Sequence, residues 1–174
     1  SVEHFDYPGT VSLSCRVLID VVGNILESLS TNGFHQLVIV NSHGGNTRLL
    51  HSHAQEWAKT YKAKIYNVDF WESTFLDGLA PMVKGRYDRE IHAGEIETSM
   101  LYHERPELKE TLEPLIEDTL VDLPPDHYGW GTRSLAPNGV MGYASLWSDE
   151  FGVKCLDYAA DKLCTALGEI MANA

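Results

Sequence analysis

One segment limits the choice of fold more than any other. The apolar run Leu37-Val38-Ile39-Val40 leads directly into Asn41-Ser42-His43-Gly44-Gly45-Asn46, and a helical pattern follows from about Thr47 to Tyr61. A short apolar run bounded by glycines reads as a buried strand. A strand, a tight turn and a helix in that order are half of a βαβ unit. Such a strand delivers His43 to the carboxyl edge of a sheet, where open α/β folds bind ligands. Two glycines let the backbone turn sharply and approach a bound group.

The flanking patterns extend the same architecture. Val17, Leu18, Val21, Val22, Ile25, Leu26 and Leu29 recur at three- and four-residue spacing and predict an amphipathic helix closed by Asn32-Gly33. Lys64-Ile65-Tyr66-Asn67-Val68 predicts a second strand. The order helix, strand, helix, strand favours right-handed parallel βαβ units, hence a layered α/β fold with helices on both faces of a mostly parallel sheet. The 174 residues fit one domain, 1–174. Trp71 to Arg89 is looser, and a helix is expected over Gly94–His103, ending before Pro106. Pro124 to Gly139, with Trp130 inside, reads as a long loop, either functional, such as a lid, or a surface excursion or subunit contact. A final helix is expected from Asp149 to Met171.

Charge narrows the function. The formal net charge is −12, with the thirteen Lys and Arg scattered, so a nucleic-acid partner would be repelled. No apolar run approaches the roughly 20 residues that span a bilayer. The polar start Ser1-Val2-Glu3-His4 has no signal-peptide character. Cys15, Cys155 and Cys164 form no C-x-x-C pair, and the odd, sparse count points to a reducing, cytoplasmic setting with buried, inert thiols. Nucleophile-elbow, P-loop and dinucleotide-binding patterns are missing.

His43 is the leading metal-ligand candidate, because neutral imidazole is the commonest transition-metal ligand and a strand end holds it rigidly. The bland reading is a histidine satisfied by backbone bonds in its glycine turn. A second polar cluster is His92-Ala93-Gly94-Glu95-Ile96-Glu97-Thr98-Ser99. Glu97 falls where the pattern turns apolar, and a buried carboxylate there needs a partner such as a metal. Glu95 better fits a solvent-facing position near a helix start, favoured by the dipole. Five helical positions are about 500°, so His92 and Glu97 serve one site only if His92 precedes the helix. From there His92 could act as a general acid or base. His51 and His53, two apart, cannot share a ligand. His35, His103 and His127 have no supporting neighbours. Glu3-His4-x-Asp6 looks like a ligand cluster, but residues at a chain start need anchoring before they bind tightly. Trp71 and Trp130 could line a pocket or pack in the core.

Taken together, four motifs resemble the creatininase-like (creatinine amidohydrolase) family. They are Glu3-His4 before Tyr7-Pro8-Gly9-Thr10, Asn41 to Asn46, His92 to Ser99, and Asn138-Gly139-Val140-Met141-Gly142. They occur in the family's order over nearly the whole chain. The resemblance implies a layered αβα fold and divalent metal ions, zinc, manganese or iron, two per complete site. It implies metal binding by His43 and Glu97, a catalytic His92, and substrate contacts from Trp71, Gly44, Gly45 and Asn46. It implies hydrolysis of a non-peptide or cyclic C–N bond (amide, imide or formamide) of a small molecule through a metal-bridging hydroxide.

A homo-oligomer, hexameric by resemblance, is also expected. Creatininase is acidic where this chain has Gly45, which turns the expectation away from creatinine itself. The family's E-x-H pair and bridging Asp precede the matched region, so the amino-terminal strand and these ligands are expected from a separate chain, with cleavage before Ser1 one possible origin. The competing expectation is a metal-deficient relative that binds a ligand or partner without catalysis.

Overall fold

The computed structural model describes residues 2–72, 76–123 and 131–173. The chain divides into two compact units. The first comprises Ser1–Phe5, Val11–Leu76 and Lys162–Ala174; the second comprises Asp6–Thr10 and Asp77–Asp161.

The first unit is built on a parallel strand pair. Strand β1, Gln36–Asn41, pairs in parallel with β2, Lys64–Asp69, so that Asn41 and Asp69 stand opposite each other at the carboxyl ends. Helix α1, Cys15–Thr31, precedes β1, and helix α2, Gly44–Tyr61, joins the two strands. The Ser14 side chain accepts the Val17 N–H at 3.3 Å and caps α1, and Asn32 closes it by donating to Ser28. Burial of Leu26, Leu37, Leu50, Trp57 and Ala63 holds helices and strands together, with Ile19, Val22, Ile39, Tyr61 and Ile65 packed against them. A buried leucine of this kind contributes about 1.5–3 kcal/mol through burial alone. The layered α/β fold expected from the sequence is the observed one.

Two expectations shift. Helix α2 begins at Gly44, three residues before the predicted start at Thr47. Glycine is a poor helix former, so Gly44 and Gly45 give no pattern signal. The short passage out of β1 nevertheless forces the helix to start there. The apolar stripe of α1 is also only half buried. Leu26 is covered, whereas Val17, Val21, Ile25 and Leu29 form an exposed row at four-residue spacing.

In the second unit, 3₁₀ turns at Asp77–Met82 and Tyr87–Arg89 lead to helix α3, Glu95–Glu104, which ends before Pro106. Its core includes Leu79, Ile96, Tyr102, Ala144, Phe151 and Cys155. The indole of Trp147 meets Tyr102 edge-on at 4.8 Å, and Lys109 Nζ lies 5.0 Å from the same indole. Helix α4, Asp149–Ala172, belongs to this unit as far as Asp161 and to the first from Lys162. No described helix is long and apolar enough to cross a membrane. Trp130, His127 and the first part of the predicted loop, residues 124–130, lie outside the described residues. The part that is described contains a helical turn, Thr132–Leu135.

Candidate metal centre

The carboxyl ends of β1 and β2 are tied by a buried polar latch. Asn41 and Asp69 are each only 5 % exposed, and Asn41 Nδ2 donates to Asp69 Oδ2 at 2.8 Å. The same amide donates to the His43 carbonyl at 2.9 Å, and its oxygen accepts the His43 N–H at 3.2 Å. Asn41 thus grips the backbone of His43 from both sides. Asp69 Oδ1 accepts the Trp71 N–H at 3.0 Å, and Trp71 Nε1 donates to the Ser42 carbonyl at 2.5 Å. Bonds to a charged group contribute about 1.5–3 kcal/mol each, so the latch fixes the two turns beside the strand ends. Asn46 Nδ2 reaches the Asn41 amide oxygen at 3.4 Å. The structure therefore brings His43, Gly44, Asn46 and Trp71 together as neighbours around one strand edge.

Glu3 and His4, set aside in the sequence reading as poorly anchored, belong to the same place. His43 Nε2 lies 2.8 Å from Glu3 Oε1, and His4 Nε2 lies 3.9 Å from that oxygen. The His4 and His43 rings meet edge-on with centroids 5.9 Å apart. One donor atom from each of the three residues falls within 4.8 Å of the others, and all three are half-buried. Burial alone would raise the Glu3 carboxyl; its own backbone N–H, the His43 bond and the charges of His43 and His4 together hold it below the ordinary value. The anchoring that the sequence could not display comes from the 3₁₀ turn Val2–His4, closed by the Phe5 N–H on the Val2 carbonyl.

The second polar cluster lies in the other unit. His92 stands before α3, the position that sharing a site with Glu97 would need, and forms an antiparallel bridge with Met141. Its Nδ1 donates to the Gly139 carbonyl at 2.8 Å, which leaves Nε2 as the basic ring nitrogen. The motif Asn138 to Gly142 thus orients this imidazole. Ala93 adopts a φ of 50°, unusual for a residue with a side chain, and its N–H is held by Glu97 Oε2.

Of the two glutamates, Glu95 departs from its expected surroundings. Glu95 is fully buried and Glu97 half-buried. The Glu95 carboxylate accepts the Lys84 N–H at 2.9 Å and the Gly85 N–H at 3.0 Å, which stitches the preceding loop onto α3. Beside it, burial pushes the Glu90 carboxyl up, the Glu95 charge adds to the rise, and backbone N–H groups of Tyr143 and Ile96 oppose it.

Of the remaining histidines, His51 pairs with Glu72 at 3.4 Å, and His53 bonds the Leu49 carbonyl at 2.9 Å. His35 and His103 are exposed. Only Cys155 among the thiols is buried as expected; Cys15 and Cys164 are exposed. Cys15 opens α1, and Cys164 sits on the open side of α4, positions that composition alone does not distinguish.

A layered α/β fold with imidazoles and a carboxylate gathered at the edge of parallel strands is a common setting for metal hydrolases. Comparison with solved structures finds the same fold. Creatinine amidohydrolase (creatininase) matches 94% of this chain and 67% of its own, at 23% identity and a TM-score of 0.76. A glutamate-to-glutamine creatininase variant complexed with creatine gives the same identity and TM-score over 94% and 68%. A manganese creatininase matches 94% and 67%, again at 23% identity and 0.76. At this identity the likeness establishes the fold. No curated protein matches the chain in a sequence comparison. The family model for creatininase, described as creatinine amidohydrolase, matches residues 1–167, and the chain belongs to that family.

Proposed function

We propose that this chain is a metal-dependent amidohydrolase that opens a cyclic or non-peptide C–N bond, amide, imide or formamide, of a small molecule. The presentation of His43 at a strand edge, with its backbone held by Asn41, within a creatininase-family fold, carries the reading. Imidazole nitrogen and carboxylate oxygen are donors suited to zinc or manganese. Related creatininases are known in Zn-Zn and manganese forms, which supports divalent metal use.

In this reading His43 binds one divalent metal and Glu97 another. The metal, when bound, polarises the carbonyl under attack and lowers the pKa of water. His92 moves the proton: its Nδ1 is committed to the Gly139 carbonyl, so Nε2 takes a proton and delivers it to the leaving nitrogen. Trp71 offers an aromatic wall for a flat substrate beside the His43 turn, with Gly44, Gly45 and Asn46 in contact. The reaction consumes one water and yields a carboxylic acid together with an amine from an amide or formamide, or an amide from an imide.

His43→Ala and Glu97→Gln test the proposal through metal content and turnover. Loss of both readouts in each variant is expected, and full activity in either overturns the assignment. The expected homo-oligomer and ligand-bearing second chain belong to the same proposal. Native and denaturing mass spectra of the active preparation read them directly.

A further inference from the structure

Position 45 is where the local geometry is most unusual. A Cβ built on Gly45 would fall 1.9 Å from Glu3 Oε1 and 2.7 Å from His43 Nε2. Real atoms do not approach that closely. The Glu3 carboxylate therefore occupies the volume that any other residue at 45 would fill. The glycine cannot be assigned to a backbone need: Gly45 is not among the residues with positive φ. Its missing side chain is used to admit a carboxylate from another part of the chain.

We propose that Glu3 and His4 are metal ligands alongside His43, and that Gly45 is the vacancy that seats the Glu3 carboxylate among them. The inference rests on the metal role of His43 argued above and names the ligands that share it. Zinc holds nitrogen and oxygen ligands at about 2.0–2.2 Å, so neighbouring donors in a tetrahedral site stand about 3.3 Å apart. The Glu3–His43 distance of 2.8 Å and the Glu3–His4 distance of 3.9 Å bracket that spacing. Small side-chain rotations bring both to it. The alternative, an anchoring hydrogen bond between Glu3 and His43, would explain the shorter distance. It gives no reason for His4 to face the same oxygen.

Zinc and manganese titrations of the metal-stripped protein, followed by calorimetry or competition with a chromophoric chelator, decide between them. Loss of a group that merely orients a ligand weakens metal binding about 10–100-fold, so loss of a ligand should cost at least about tenfold. Glu3→Gln and His4→Ala are each expected to reach that loss with unchanged thermal stability measured without metal. Gly45→Ala should lose affinity equally although every proposed ligand remains, because its methyl displaces the carboxylate. The double variant Glu3→Ala with Gly45→Asp should recover much of the loss, since the new carboxylate starts from the vacated space.

Wild-type affinity in Glu3→Gln, His4→Ala and Gly45→Ala, with affinity lost in His43→Ala, overturns this inference and leaves the functional reading standing. Wild-type affinity in His43→Ala as well removes the metal role of His43, and the functional reading fails with it.

Discussion

Glu3 Oε1 lies 2.8 Å from His43 Nε2, although the two residues are forty positions apart. The contact joins a 3₁₀ turn near the start of the chain to the end of β1, where Asn41 already holds the His43 backbone. Two independent restraints therefore act on His43, one on its main chain and one on its ring. An imidazole held in this way loses little conformational entropy when it takes up a ligand.

His92, the proposed proton carrier, has its own restraint in the Gly139 carbonyl. His92→Ala should lower kcat by about 10²–10⁴, the usual contribution of a positioned acid or base. Metal content should stay at the wild-type level. A variant that loses metal and activity together would assign His92 to metal binding instead.

Glu95 carries a structural prediction. Its buried carboxylate accepts backbone N–H groups from Lys84 and Gly85. An amide has a single acceptor oxygen and turns an NH₂ toward a donor. Glu95→Gln is therefore expected to cost about 1–3 kcal/mol in urea unfolding, the cost of leaving a buried group unsatisfied. A loss below about 0.5 kcal/mol, typical of surface changes, would mean that the stitch to the loop contributes little.

The thiols separate by reactivity. Burial, then the nearby Glu95 charge, pushes the Cys155 thiol up to about 12 from an ordinary 9.0. Cys15 and Cys164 are exposed. Two of the three thiols should react with a disulfide reagent in the native protein at pH 8, and the third only after unfolding. Between pH 9 and 12 the unfolded chain ionises Cys155 while the folded chain keeps it protonated, so folding retains a proton that unfolding releases. That stabilising contribution is full below the lower value and is lost as pH rises through the window, by about 1.4 kcal/mol per unit. Cys155→Ala should flatten this part of the alkaline stability profile, and an unchanged slope would contradict the burial account.

The strands, and the helices between them, were legible because their signals are local. Leu37–Val40 and Lys64–Val68 are short apolar or β-branched runs, and Pro106 marks the end of α3 plainly. His92 was legible through helical arithmetic, since only a position before the helix relates it usefully to Glu97. Glu95 was misread because a carboxylate in a first helical turn usually faces water. Here a neighbouring loop turns its N–H groups inward, and no local pattern announces that. The exposure of half the α1 stripe was not legible for a related reason: periodicity marks an apolar face but not how much of it a neighbour covers. The place of Glu3 and His4 beside His43 was not legible because the contact that puts them there is tertiary. The one sequence sign of it was Gly45, whose missing side chain has meaning only once Glu3 is in place.

The central claim is metal-dependent hydrolysis of a small C–N substrate. Its most direct test is turnover of a panel of cyclic amides, imides and formamides by protein stripped with a chelator and then supplied with Zn²⁺ or Mn²⁺. The stripped protein should show no turnover, and adding metal should restore it. Turnover unaffected by stripping would contradict the claim.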